Sequence, residues 1–160
     1  MTPDPRQLRQ ALGRFATGVT IISCLDVQGR AVGLTANSFN SLSLDPALVL
    51  WSLRRSSPTL PAFSAANHFA VNVLSEAQVD LSRHFAGQPD DRFSVGVWSA
   101  GLEGVPVLAG SAALFECATV SQQEAGDHVL FIGRVLHFTE APVPPLVFQA
   151  GHYRMLGEVL

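Results

Sequence analysis

The chain has 160 residues, of which 48% are hydrophobic and only 14% are charged, against about 25% charged residues in an average soluble domain. This length suits one domain with one core, and the low charge excludes a disordered chain and suggests that a second copy covers part of the surface. All ten basic residues are arginines. The lack of lysine excludes a Walker-type phosphate loop, a pyridoxal Schiff base and a catalytic amine.

The net charge and the distribution of apolar residues also limit which partners and which compartment are expected. The net charge is −3 and Arg54-Arg55 is the only adjacent basic pair, so neither a nucleic acid nor an anionic membrane is an expected partner. No secretory signal and no apolar run of membrane-spanning length is present, which makes the cytoplasm the expected compartment. Cys24 and Cys117 lie far apart, and we expect both to be buried thiols.

The first part of the chain carries one helix signal and then strand signals. Asp4-Pro5 is typical of an N-cap and first helical turn, so a short amphipathic helix is predicted there. β-branched residues then predict strands over residues 19–25 and 30–36, which a glycine-containing turn joins as a hairpin. A continuous apolar run predicts a buried strand over residues 47–53.

The rest of the chain carries two further helix signals, a long hairpin and two short strand candidates. Ser57-Pro58 is typical of a cap and first turn, and the capping box at residues 75–78 begins another helix. The predicted bounds are a helix over residues 57–66, a strand over 69–74, a helix over 75–85, hairpin strands over 112–123 and 128–139 with a turn at 124–127, and short strands over 146–148 and 153–156. Six or seven strands with three short helices favour a mainly β, antiparallel barrel, because closure removes exposed sheet edges.

Small polar residues at the end of the second strand are the first candidate binding group. They are Thr35, Ala36, Asn37 and Ser38. Their hydroxyl, amide and backbone donors suit a polar heterocycle. The alternative is a turn in which Asn37 and Ser38 satisfy their own backbone.

The second candidate group follows the buried strand. It is the run from Ser52 to Thr59, in which the end of the strand, two guanidiniums (Arg54 and Arg55) and four hydroxyls meet the start of the predicted helix. Free N–H groups at a helix start, together with arginine, bind phosphate without any lysine. The alternative is that Ser56 or Ser57 simply caps the helix while both arginines are solvated.

The turn of the long hairpin is the third candidate. His128 begins an otherwise apolar strand and Asp127 precedes it, whereas the alternative is an ordinary surface turn. No His-x-x-x-His or Cys-x-x-Cys spacing occurs, so no metal site is predicted. Glycine-rich nucleotide loops and a Gly-x-Ser-x-Gly elbow are also absent from the sequence.

Six segments, in this order and spacing, together resemble the flavin reductase family with an FMN-binding split β-barrel. They are residues 15–20, 35–39, 41–46, 69–74, 91–93 and 126–128. The similarity covers nearly the whole chain and implies one split-barrel domain over residues 1–160. It also implies a homodimer that binds flavin, FMN or FAD, at the subunit interface and takes hydride from NADH or NADPH. The implied role is to supply reduced flavin, by diffusion, to a separate monooxygenase.

The resemblance further implies roles for individual residues. Flavin would contact Thr35, Ala36, Asn37, Ser38, Phe39, Ser52, Leu53, Phe85, Ala86 and Arg92. The phosphate would be held by Arg54, Ser57 and Thr59, although Pro58 stands where related chains often have a polar residue. The nicotinamide would lie at Gly126, Asp127 and the catalytic His128, and the dinucleotide near His152, Tyr153 and Arg154.

The chemistry that the resemblance implies needs no nucleophile. Hydride passes directly from nicotinamide to flavin, so the protein mainly has to stack the two rings and orient them. A non-enzymatic FMN-binding or electron-carrier protein on the same barrel is the alternative. A heme-binding split barrel fits the polar residues 35–38 less well than a flavin protein does.

Overall fold

The computed structural model describes residues 1–160, which form three α-helices and twelve strands. The helices are α1 (Pro5–Leu12), α2 (Leu60–Ala65) and α3 (Val79–Ala86). The strands are β1 (Thr17–Gly18), β2 (Thr20–Leu25), β3 (Ala31–Ala36), β4 (Asn40–Leu44), β5 (Ala47–Arg54), β6 (His68–Val73), β7 (Trp98–Ala100), β8 (Pro106–Leu108), β9 (Ala113–Ala125), β10 (His128–Glu140), β11 (Val147–Gln149) and β12 (His152–Arg154). None of the helices has the length and apolar character of a membrane span.

Seven strands form the main antiparallel sheet, in the order β3-β2-β6-β9-β10-β5-β4. Two small sheets, β1-β11-β12 and β7-β8, complete the fold. The mainly β, antiparallel class and the split β-barrel are confirmed, whereas the full closure expected from the strand pattern is not observed. The edge strands β3 and β4 do not pair with each other, so the barrel is split.

The main core lies between this sheet and α2. Alternate residues of β5 point inward, and Trp51 at their centre stacks on Phe131 at 4.8 Å and meets the edge of Phe63 at 4.9 Å. Cys24 and Cys117 are buried free thiols, as predicted, and both lie in this cluster. Burial raises the pKa of each thiol to about 12, because a thiolate would lose its hydration there.

A second core cluster lies beneath α3 and holds that helix against β2. The capping box at residues 75–78 is present, with the Ser75 backbone N–H donating to the Gln78 side chain at 3.0 Å. A short 3₁₀ turn follows before α3 itself begins. Ser82 and Phe85 form the buried side of α3, so its last turn is fixed beside the end of β3.

Three predicted boundaries are wrong by a few residues. The second helix begins at Leu60 and not at Ser57, because the Leu60 N–H bonds to the Ser57 carbonyl in a separate turn. The hairpin turn shrinks to residues 126–127, since Ala125 still pairs with His128. The last short strands are Val147–Gln149 and His152–Arg154 rather than residues 146–148 and 153–156.

Four strands, β1, β4, β7 and β8, were not predicted, and together with the eight predicted ranges they make twelve. β4 is mostly exposed and its sequence, Asn-Ser-Leu-Ser-Leu, lacks β-branched residues. It is a strand because it pairs with β5, across a register shift. β7 and β8 have three residues each and pair only with one another.

Candidate functional site

A cleft of about 480 Å³ opens where β3, β5, the turn before α2 and the end of α3 meet. Most of the residues predicted to contact flavin line it. They are Thr35, Ala36, Asn37, Ser38, Ser52, Leu53, Arg54, Ser57, Thr59, Phe85, Ala86, Arg92 and His128. Segments far apart in the sequence therefore place their polar groups in a single cleft.

At the wall of the cleft formed by the end of β3, two hydroxyl groups already form hydrogen bonds within the protein. Ser38 Oγ donates to the Ser52 carbonyl at 2.9 Å and accepts from the Ser52 N–H at 3.0 Å. It replaces a strand partner there, because β4 pairs with β5 only as far as Leu50. Thr35 Oγ1 donates to the Ser82 carbonyl at 2.7 Å. The exposed Asn37 amide makes no hydrogen bond within the chain, which leaves it free for a ligand.

The other end of the cleft suits an anion. The Ser57 and Thr59 hydroxyls are 2.8 Å apart, and the Thr59 N–H donates to Ser57 Oγ at 3.3 Å. Arg54 ends β5 beside them, and its guanidinium forms no salt bridge, although its charge is near enough to Asp127 to help lower the pKa of that carboxyl. No carboxylate lines the cleft, so the local charge is positive and attracts phosphate. Ser57 does not cap α2, since Thr59 occupies the N-cap position.

Arg92 borders the cleft but is held by the protein itself. Its guanidinium donates to the Gly33 carbonyl at 2.5 Å and to the Gly87 carbonyl at 2.6 Å. These bonds tie the loop after α3 to β3. Desolvation of the guanidinium lowers the pKa of Arg92. Arg92 therefore stabilises the wall of the cleft, with its other N–H groups left to face a ligand.

His128 lies at the cleft next to Arg54, its cross-strand neighbour. Its Nδ1 is 2.7 Å from Asp127 Oδ1, and its side chain is 40% exposed. The hydrogen bond from His128 is the main reason why the pKa of Asp127 is lowered. In the neutral imidazole, Nδ1–H donates to Asp127 and Nε2 is left as an acceptor. Asp127 thus fixes the ring orientation, and a donor role for Nε2 requires the imidazolium.

The other predicted residues lie outside the cleft. Phe39 packs against Phe115, with ring centroids 5.6 Å apart. Gly126 and Asp127 form the hairpin turn beside a shallow depression that Arg54 and Arg55 also line. In β12, His152 Nδ1 is 2.9 Å from the Ala150 carbonyl and Tyr153 Oη is 2.7 Å from Ser82 Oγ, while Arg154 is exposed. No three His, Cys, Asp or Glu side chains are grouped to hold a metal ion.

Sequence reasoning missed Ser82, which contacts both the cleft wall and β12. It is completely buried on α3, three residues from Val79 and from Phe85. A serine among apolar residues on the inner face of a helix is the available signal, because a buried hydroxyl needs a partner. The identity of that partner depends on the tertiary structure.

The chain is similar to known reductases along its whole length. It is 45% identical, over 94% of its length, to an FMN reductase (NADH) of Agrobacterium fabrum, of which it covers 85%. It is 44% identical, over 92% of its length, to the reductase component of a flavin-dependent trigonelline monooxygenase of Acinetobacter baylyi, of which it covers 48%. The chain spans about half the length of that relative and of another curated relative.

A solved structure agrees in fold over the full chain. The NADH:FAD oxidoreductase of Streptomyces globisporus superposes with a TM-score of 0.91 at 36% identity, covering 100% of this chain and 99% of that one. The flavin reductase like domain matches residues 12–157. This match extends from α1 past β12 and includes every residue that lines the cleft. The chain therefore belongs to the flavin reductase like domain family.

Proposed function

We propose that this chain is an NAD(P)H:flavin oxidoreductase that reduces FMN or FAD and releases the reduced flavin to a separate monooxygenase. The observation that carries this proposal is the single cleft with an unpaired amide at one end and a hydroxyl pair beside an unpaired guanidinium at the other. Relatives named FMN reductase (NADH) and monooxygenase reductase component support it, as does the similarity to an NADH:FAD oxidoreductase.

The types of group that line the cleft match the parts of a flavin mononucleotide. Asn37 and the backbone next to it would hold the polar edge of the ring system, and Leu53 and Phe85 supply apolar surface. Ser57, Thr59 and Arg54 would hold the phosphate. Flavin supplies the hydride acceptor, and a dihydronicotinamide supplies the hydride. The chain itself has to orient the two rings, which requires no nucleophile.

His128 is the residue that we assign to orientation of the nicotinamide. Its Nε2 is an acceptor in the neutral ring, because Nδ1–H is directed to Asp127. A carboxamide N–H of the nicotinamide is a matching donor. His128 would thus position the hydride donor without exchanging a proton during the reaction.

We also propose that residues 1–160 act as one domain and assemble as a homodimer. The chain exposes 9869 Å², whereas a compact monomer of 17.1 kDa exposes about 7,750 Å². No residue of α1 is buried; its last residue, Leu12, is 66% exposed, and Phe15 just after it is 77% exposed. A second copy that covers this apolar surface would explain both features. Light scattering should give twice the monomer mass, and an active monomer would contradict the assembly.

The cytoplasm is the compartment that we propose, because both cysteines are free thiols.

The function itself is tested by steady-state oxidation of NADH and NADPH by the purified protein, with and without added FMN, FAD or riboflavin. We expect nucleotide oxidation only when free flavin is present. An absence of oxidation with every flavin would overturn the proposal. A flavin that stays bound through gel filtration without turnover would indicate an electron carrier instead.

A further inference from the structure

Two hydrogen bonds meet at Ser82, the completely buried serine of α3. The Ser82 carbonyl accepts the Thr35 hydroxyl at 2.7 Å, and Thr35 lines the cleft. The Ser82 hydroxyl lies 2.7 Å from the Tyr153 hydroxyl on β12. Ser82 therefore connects the C-terminal hairpin to a wall of the cleft.

The Tyr153 ring is held in place independently of its hydroxyl. It packs against Phe148 on the neighbouring strand, with ring centroids 5.3 Å apart. The Arg83 guanidinium lies over the Tyr153 ring, 5.3 Å from the ring centroid. Tyr153 does not line the cleft. Its hydroxyl is consequently a fixed anchor for α3 and has no contact with a ligand in that cleft.

The position of Ser82 determines the position of two cleft residues. Phe85 and Ala86 follow it within one helical turn and line the cleft. A helix moves as a unit over such a length, so a shift at Ser82 moves both residues. Because the Thr35 hydroxyl is bonded to the carbonyl of the same residue, the same shift also disturbs Thr35. A binding site tolerates about 0.5 Å of such displacement before its contacts loosen.

We propose that Tyr153 is a positioning residue for the flavin cleft, acting through Ser82 on Thr35, Phe85 and Ala86. This role differs from the dinucleotide contact that the family resemblance implies for Tyr153. The inference rests on the proposed function only in that the cleft binds flavin.

The test compares Tyr153→Phe, Ser82→Ala and the double variant. Tyr153→Phe keeps the aromatic packing and removes only the hydroxyl. The Kd values for FMN and riboflavin are measured by quenching of flavin fluorescence, at a temperature at which every variant is folded. We expect each single variant to weaken both flavins by about fivefold to tenfold, the cost of one lost hydrogen bond. The double variant should be no weaker than the singles, because both remove the same bond.

Ser111→Ala is the matched control. Ser111 Oγ donates to the Leu108 carbonyl at 3.0 Å, a comparable partly buried hydrogen bond, and Ser111 does not line the cleft. We expect this variant to keep the wild-type Kd for both flavins, whatever happens to its melting temperature. A loss of flavin affinity equal to that of Tyr153→Phe would show that any weakened hydrogen bond has this effect, and would overturn the positioning role.

Other outcomes also overturn the inference. They are an unchanged flavin Kd in Tyr153→Phe, or a raised KM for NADH with an unchanged flavin Kd, which is the signature of a dinucleotide contact. Tyr153 is the only tyrosine, so its labelled ring gives one NMR signal in the wild-type protein even if the variants fail to fold. FMN should shift that signal, and an unshifted signal with FMN bound overturns the coupling. A wild-type chain that binds no flavin would instead refute the proposed function.

Discussion

Replacing Arg54 with alanine should weaken FMN binding and leave riboflavin binding almost unchanged. Arg54 lines the cleft together with the Ser57 and Thr59 hydroxyls, and it forms no salt bridge that a phosphate would have to break. A charge-assisted hydrogen bond contributes about 1.5–3 kcal/mol. Because Arg54 is exposed, solvent screening favours the lower end, about 1.5 kcal/mol or roughly tenfold in Kd.

Arg55→Ala is the matched control for this experiment. It removes the same charge one residue away, but Arg55 lies outside the cleft and faces Glu124 at 3.8 Å. Titration of the wild-type protein and of both variants with FMN and with riboflavin gives the six Kd values that are needed. Equal weakening of both flavins by Arg54→Ala would refute the phosphate assignment. An equal increase of the Kd for FMN in the two variants would show that the effect comes from the overall charge and not from a contact of Arg54 with the phosphate.

Three further predictions concern the site and the core. His128→Ala should keep the fold and most of the flavin affinity but slow flavin reduction, or raise the KM for NAD(P)H, about tenfold, which is ~1.4 kcal/mol; unchanged stopped-flow kinetics with a lowered Tm would remove His128 from the site. Gly133→Ala should destabilise the fold by about 1–3 kcal/mol, because the new Cβ would overlap the Phe69 ring; an unchanged denaturant midpoint contradicts this packing. Cys24 and Cys117 should react with thiol reagents only after unfolding, because burial raises each pKa to about 12; fast labelling of the native protein contradicts it.

The sequence predicted those helices and strands that are determined by residues close together in the chain. The capping box at residues 75–78 is such a signal, since both of its hydrogen bonds form within four residues. The apolar run before Arg54 is another, because its composition alone indicates burial. β4 had no local signal, as it is a strand only through its pairing with β5. The start of α2 was misplaced because Ser57-Pro58 suits a turn as well as a first helical turn.

The sequence predicted many of the residues that line the cleft, but it did not predict the hydrogen bonds that those residues form. Residues 35–38 and the Ser57–Thr59 pair are polar at strand ends, and the structure places both groups in one cleft. The resemblance implies ligand contacts for Arg92 and Tyr153, and the structure shows that each also forms a hydrogen bond within the protein. Their partners, the Gly33 carbonyl and the Ser82 hydroxyl, lie about 60 and 70 residues away in the chain. No local pattern encodes such tertiary contacts.

Anaerobic mixing of a trace of the purified protein with NADH and a large excess of FMN tests the central claim most directly. The bleaching of the flavin absorbance counts how many flavin molecules each protein reduces. A reductase that releases its product is predicted to bleach the whole flavin pool, with equal loss of NADH. Bleaching that stops at one flavin per protein, or no bleaching with NADH or NADPH, would contradict the account.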